Sequence, residues 1–136
     1  MKQGLRWVGI AVCLLLPMAA LAADLVPTPT WLGVYGKVTY LGAPVEKGDE
    51  VRAYTPEGFL VGKFVIEKAS TDEYGFMPIY GDDPYTPAKD GAATGDVIKF
   101  VLFRVSDGKE HAVTYQSVPG LLWAASGEET RLDLMY

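Results

Sequence analysis

The chain has 136 residues, 12 of them basic and 17 acidic, and one cysteine, Cys13. A formal net charge of −5 disfavours phosphate backbones and anionic membrane surfaces as partners. One thiol allows neither an internal disulfide nor a cysteine metal cluster.

Lys2 and Arg6 give the chain a positive start. The apolar run "WVGIAVCLLLPMAALA" follows, and Ala20 and Ala22 are small residues at the two positions a signal peptidase reads. Residues 1–23 therefore read as a cleaved secretory signal peptide. A spanning helix needs about 20 apolar residues; this run is shorter and carries Pro17 near its end. Cys13 is not a lipid-attachment cysteine by pattern, because bulky Val12 precedes it and most of the apolar run follows it. Cleavage after Ala22 or Ala23 removes Lys2, Arg6 and Cys13, which leaves 10 basic residues against 17 acidic ones, a formal charge of −7. The exported product, periplasmic or extracellular, then has no disulfide, no thiolate nucleophile and no contact with the membrane. Its length suits one compact domain held by its own core.

Residues 24–32, opening with "DLVPTPTW", read as an extended linker. Beyond them no stretch carries apolar residues at helical spacing. Short runs rich in Val, Ile, Phe, Tyr and Thr alternate with Gly, Pro and Asp. Strands are expected over 33–40, 50–55, 59–66, 73–80, 96–105, 110–116 and 130–136. Pro78 makes the fourth an edge strand or ends it. The fifth, "DVIKFVLFRV", is apolar on both faces, as a central strand is. "PEG" at 56–58 and "SDGK" at 106–109 read as hairpin turns. About seven short strands at this spacing predict an all-β, antiparallel sandwich over 33–136.

The early motifs carry a resemblance. Gly36, Val38, Gly42, Pro44, Val45, Gly48, Val51 and Ala53 match the G-x-V, G-x-P-V-x-x-G and V-x-A pattern of the carboxypeptidase-regulatory-like, or prealbumin-like, family of Ig-like sandwich modules. The later "YGFMPIYGDDPYTPAKDGAATGDVIKF" and "LLWAASGEETRLDL" are similar to a variant of exported bacterial and archaeal proteins with an Asp-rich loop. The resemblance spans nearly all of the chain after residue 23. It implies a sandwich fold and an accessory role, with no common active site. The hydroxyisourate hydrolases that share the prealbumin fold need several histidines, and this chain has only His111.

Asp82, Asp83, Asp90 and Asp96 crowd one Pro- and Gly-rich stretch. Two readings compete. Calcium takes six to eight oxygens, which short carboxylates and loop carbonyls supply. Alternatively, Asp before Pro, Asp90-Gly91 and Gly95-Asp96 are turn formers that cap a loop. The spacing does not fit the D-x-[DN]-x-[DN]-G calcium loop. No other cofactor is indicated. A carboxylate-based hydrolase would need two acids set apart across a cleft, and adjacent Asp82 and Asp83 give no sign of one. A serine triad would have to use His111, with no G-x-S-x-G elsewhere. "GAATGD" lacks the Lys-Ser/Thr of a phosphate loop. No catalytic residue is assigned.

The aromatics remain. Tyr35 and Tyr54 fall on the polar faces of their strands, and Tyr85 lies in the Asp-rich loop. Trp123, in "PGLLWAAS", is either core or part of a surface patch. The expected role is a non-enzymatic accessory that binds another surface or periplasmic protein, with a small carbohydrate-binding module as the alternative class. An exposed coplanar row of rings would favour sugar, and a long free strand edge would favour protein.

Mass spectrometry of the natively expressed protein is expected to show a chain starting at Ala23 or Asp24. An intact Met1, or a lipid on Cys13, would refute export with cleavage.

Overall fold

Runs of β-branched and aromatic residues broken by turn formers fit a pleated, half-buried surface and little else. In the computed structural model, which describes residues 25–40, 43–68, 73–115, 120–125 and 128–136, no helix occurs among the described residues. The expected signal peptide, 1–23, lies outside them. The strands are β1 (Trp31–Tyr40), β2 (Ala43–Pro44), β3 (Glu50–Tyr54), β4 (Leu60–Val65), β5 (Glu73–Tyr80), β6 (Val97–Arg104), β7 (Lys109–Ala112), β8 (Thr114–Tyr115), β9 (Leu121–Leu122), β10 (Glu129–Arg131) and β11 (Leu134–Met135).

They form two antiparallel-rich sheets. In the first, β1 is the spine. It takes β5 and β2 as antiparallel partners and β10 and β11 as parallel ones, and β8 adds to β11. In the second the order is β4-β3-β6-β7, with β9 on the far end of β6. The buried faces of both sheets feed one cluster, which includes Val34 and Val38 of β1, Val51 of β3, Met77 and Ile79 of β5, and Ile98, Phe100 and Leu102 of β6. That arrangement is the one of a β-sandwich.

Several expectations hold closely. The turns at 56–58 and 106–109 form with positive-φ Gly58 and Gly108. β6 is central in its sheet. β5 pairs, among the described residues, only with β1, so Pro78 sits on an edge strand where its missing N–H breaks no ladder. Other expectations needed correction. β1 begins at Trp31, inside the expected linker 24–32, because Trp31 and Leu32 pair with Tyr80 and Ile79. The expected strand at 110–116 is two strands, since β7 pairs with β6 and β8 pairs with β11 across the sandwich. The last strand runs parallel to β1, not antiparallel. Alternation tells which face of a strand is buried and says nothing of its neighbour's direction. Parallel neighbours need a long crossover, which the first and last strands of a chain have.

The C-terminal run is broken between β10 and β11, where it crosses Gly36. A Cβ on Gly36 would lie 2.3 Å from the Leu132 carbonyl oxygen. The Leu132 N–H donates to Tyr35 O at 2.8 Å, the Lys37 N–H donates to the Asp133 carboxylate at 2.9 Å, and the buried Tyr74 hydroxyl donates to Leu132 O at 2.6 Å. Burial drives the Tyr74 hydroxyl pKa well up, so it stays a donor.

At one end of the second sheet sits Asp49, fully buried. One carboxylate oxygen accepts from the Glu46 N–H at 2.9 Å and the other from the Val105 N–H at 3.0 Å, and Arg104 Nε lies 3.3 Å away as its ionic partner. The Asp49 backbone carbonyl accepts from Ile66, just past β4, at 2.8 Å. One residue thus joins the ends of β3, β4 and β6. Removing one member of a buried, hydrogen-bonded ion pair costs about 3–5 kcal/mol, because the other charge stays buried. Asp49→Ala is expected to lower stability by about that amount in urea melts, with the slope against denaturant unchanged. A loss under about 1 kcal/mol, the range of exposed pairs, would show the pair to be peripheral.

Candidate functional site

The outer faces of the two sheets differ. On the second sheet Arg52 Nε donates to Glu50 at 2.7 Å, Arg52 also reaches Glu110 at 3.4 Å, and its guanidinium lies 4.0 Å above the Phe103 ring centre. The Tyr54 hydroxyl donates to Glu110. Burial, reinforced by that carboxylate, pushes the Tyr54 pKa up to about 12. Tyr54 is half-buried and engaged in a polar network whose Arg52 covers the Phe103 ring of β6.

The first sheet's outer face is open. Odd residues of β1 point outward, so Trp31 and Tyr35 emerge on one side of the strand. Phe76 of β5 joins them. The Phe76 ring lies over Gly33, where a Cβ would meet it at 2.2 Å, and it packs edge-on to Trp31 with centroids 5.3 Å apart and planes at 89°. Trp31, Tyr35 and Phe76 remain 37, 39 and 45% exposed. Beside Tyr35 and Phe76 is a depression of about 350 Å3, rimmed by Lys37, Glu73, Glu129 and Arg131. The result is an apolar step with a rim carrying both signs of charge.

Sequence alternation pointed to Tyr35 but not to Phe76. Counting by two from buried Tyr74 puts Phe76 inside. The pairing with β1 shifts register between Val34 and Gly36, and beyond Gly75 the strand resumes with Phe76 outward and Met77 inward. A bulge of this kind leaves no trace in a pattern of period two. Trp31 shares parity with Tyr35, but it falls in the stretch expected as linker, so only its pairing with Tyr80 brings it onto this face.

The Asp-rich stretch forms a closed loop. Its ends lie side by side, with Asp82 N–H donating to Ala92 O at 2.9 Å and Ala92 N–H to Tyr80 O at 3.0 Å. Inside, the Asp83 N–H donates to the Asp90 carboxylate and the Asp90 N–H donates to the Asp82 carboxylate, both at 2.9 Å. Asp83 in turn accepts from the Tyr85 N–H at 2.9 Å. Asp96 accepts from Ala93 N–H at 2.9 Å and from Lys89 Nζ at 2.8 Å, and Lys89 also reaches Glu57 of the β3–β4 turn at 2.5 Å. Each carboxylate thus faces donors of its own neighbourhood. Among the described residues no group of three or more His, Cys, Asp or Glu stands where it could hold a metal ion. Hydrogen bonding to Lys89 lowers the Asp96 pKa and raises that of Lys89. The Asp83 N–H, foremost among several donors, lowers that of Asp90.

Of the other sequence candidates, Trp123 is core. It is 4% exposed, and its indole N–H donates to Ile79 O at 2.9 Å. Its backbone brackets the base of the Asp-rich loop, donating to Asp96 O at 2.9 Å and accepting from Gly95 N–H at 3.0 Å. Tyr85, at the loop tip, is 92% exposed. Tyr35, Tyr54, Tyr85 and Trp123 thus occupy four separate places and form no common site. No family model, curated protein or solved structure matches the chain.

The depressed Asp90 pKa sets a direction. A carboxylate with a lowered folded pKa contributes its stabilisation above the ordinary Asp value and loses it as pH falls through the folded one. The Asp83 amide proton signal is therefore expected to shift on acidification with a midpoint below the ordinary Asp range, and Asp90→Asn is expected to abolish that titration. Calcium added at neutral pH should leave the Asp83 and Asp90 amide signals in place. Their displacement by calcium would overturn the capped loop and support the metal reading.

Proposed function

We propose that this protein is an exported, non-enzymatic β-sandwich of the carboxypeptidase-regulatory-like, prealbumin-like kind, and that it serves as a binding accessory for another surface or periplasmic protein. The fold assignment rests on the Gly36-to-Ala53 motif together with the two-sheet architecture. The absence of catalysis is inferred from the chemistry of the groups. His111 is held by Asp107 at 2.7 Å beside an exposed turn, and the Asp-rich carboxylates accept from nearby N–H groups.

One observation carries the binding reading: Trp31, Phe76 and Tyr35 stand exposed together on the outer face of the first sheet, while on the opposite outer face the rings of Tyr54 and Phe103 are engaged by Glu110 and Arg52. Large rings ringed by charges are the anatomy of a protein interface. The edge-on packing of Trp31 and Phe76 makes a step and not a flat platform, which suits side chains better than the face of a sugar ring. The carbohydrate alternative draws on the depression beside Tyr35, whose aromatic walls and charged rim could hold a single sugar.

The double variant Trp31→Ala/Phe76→Ala tests this. Immobilised wild-type protein is expected to retain a protein from the envelope fraction of the cells that make it. The variant should retain at least ten-fold less, the scale of losing interface anchors. Retention of a purified polysaccharide instead would favour the carbohydrate alternative. Equal retention by both forms would refute a role for this face.

A further inference from the structure

The tip of the Asp-rich loop presents a second surface, distinct from the aromatic face of the first sheet. Tyr85 is the most exposed large apolar side chain among the described residues, at 92% against 64% for the next, Leu122. Exposed Pro84 and Pro87 flank it. An exposed tyrosine on a slack loop would be unremarkable surface. This loop is not slack in its bonding. The Tyr85 N–H is held by the Asp83 carboxylate at 2.9 Å, and the Thr86 hydroxyl lies 2.9 Å from Asp83 O and 3.0 Å from the Asp90 carboxylate. The base is closed by paired backbone, and Lys89 ties the loop both to Asp96 and, through Glu57, to the β3–β4 turn. Proline on either side fixes φ and removes two further degrees of freedom.

The polar groups of the loop are directed back into it, so the outward surface is the phenol ring and two pyrrolidine rings. A ring held in advance of binding avoids most of the ordering cost that an interface side chain otherwise incurs. Around it the charge is one-sided. Asp82, Asp83, Asp90, Asp96 and Glu57 cluster here, and among the described residues the cation paired with this set is Lys89, through Asp96 and Glu57. We infer that the loop is a preformed docking knob, and that its partner is a protein with an apolar slot wide enough for the Tyr85 ring and a rim of Lys or Arg. A saccharide is disfavoured because sugar sites turn hydrogen-bonding side chains toward the ligand, and here Asp83, Thr86 and Asp90 turn away. The acidic surround repels nucleic acid and anionic membrane.

The test uses the full chain in the cells that produce it, with Tyr85→benzoylphenylalanine as a photocrosslinker and Thr94→benzoylphenylalanine, on the neighbouring exposed turn, as control. The expected result is an adduct with one protein at position 85 and none at 94, with the crosslinked peptide in an apolar depression bordered by basic residues. With that partner purified, Tyr85→Ala should weaken binding at least ten-fold and Tyr85→Phe by less than about three-fold, as for a ring that acts by filling a slot. Raising the salt should weaken wild-type binding, since charge complementarity is screened. Tyr85 touches no core, so the Tyr85→Ala melting temperature should match wild type. The inference is overturned if no adduct distinguishes 85 from 94, if the adduct is a second copy of this chain or a polysaccharide, if Tyr85→Ala binds as wild type, or if binding is indifferent to salt. Trp31→Ala/Phe76→Ala should leave this crosslink intact, which keeps the two surfaces separable.

Discussion

The buried carboxylate of Asp49 is the constraint around which the second sheet is organised. A charge taken out of water is tolerable only if it is paired and hydrogen-bonded. Asp49 is compensated by hydrogen bonds from the N–H groups of Glu46 and Val105 and by the charge of Arg104 beside it. Those donors come from the turn before β3 and from the end of β6, and Asp49's own carbonyl takes the N–H of Ile66 beyond β4. A register slip in any of the three strands would leave part of this set unsatisfied. The apolar core supplies most of the driving force, but it is tolerant of small shifts. The ion pair is not, so it selects one alignment.

The first sheet is fixed by different means. Here the aligning contacts are the Tyr74 hydroxyl on Leu132 O and the passage of the C-terminal run over Gly36. Both depend on closeness: no side chain other than hydrogen fits at position 36, and the phenol reaches its acceptor only across that gap. The same stretch of β1 and β5 contains the register shift that brings Phe76 outward beside Trp31. The irregularity that seats the last strand and the one that creates the exposed aromatic step are thus neighbours on β1.

Trp123 links the core to the Asp-rich loop. Its ring packs inside while its backbone closes the loop base against Asp96 and Gly95. The loop's rigidity is therefore continuous with the core. Its carboxylates, whose density in sequence also allowed an ion, act as acceptors for backbone N–H groups that a turn of this sharpness cannot pair within a ladder. The two exposed aromatic surfaces, the β1–β5 step and the Tyr85 tip, consequently both stand on well-tied supports.

What the sequence determined by itself is the class of the molecule and most of its local structure. Short β-branched runs, turn-forming Gly, Pro and Asp, and the lack of helical periodicity sufficed for an all-β domain, for the hairpins at 56–58 and 106–109, for central β6 and for edge strand β5, because each leaves a marker within a few residues: a turn pair, an apolar run on both faces, or a proline. The tertiary structure alone decided the rest. The parallel direction of the last strand, the switch of sheets between β7 and β8, the burial of Asp49, the core position of Trp123 and the outward turn of Phe76 all depend on partners far along the chain. A pattern of period two is blind to those partners. It registers which face of a strand is apolar, but not which strand lies beside it, nor where one extra residue reverses the faces.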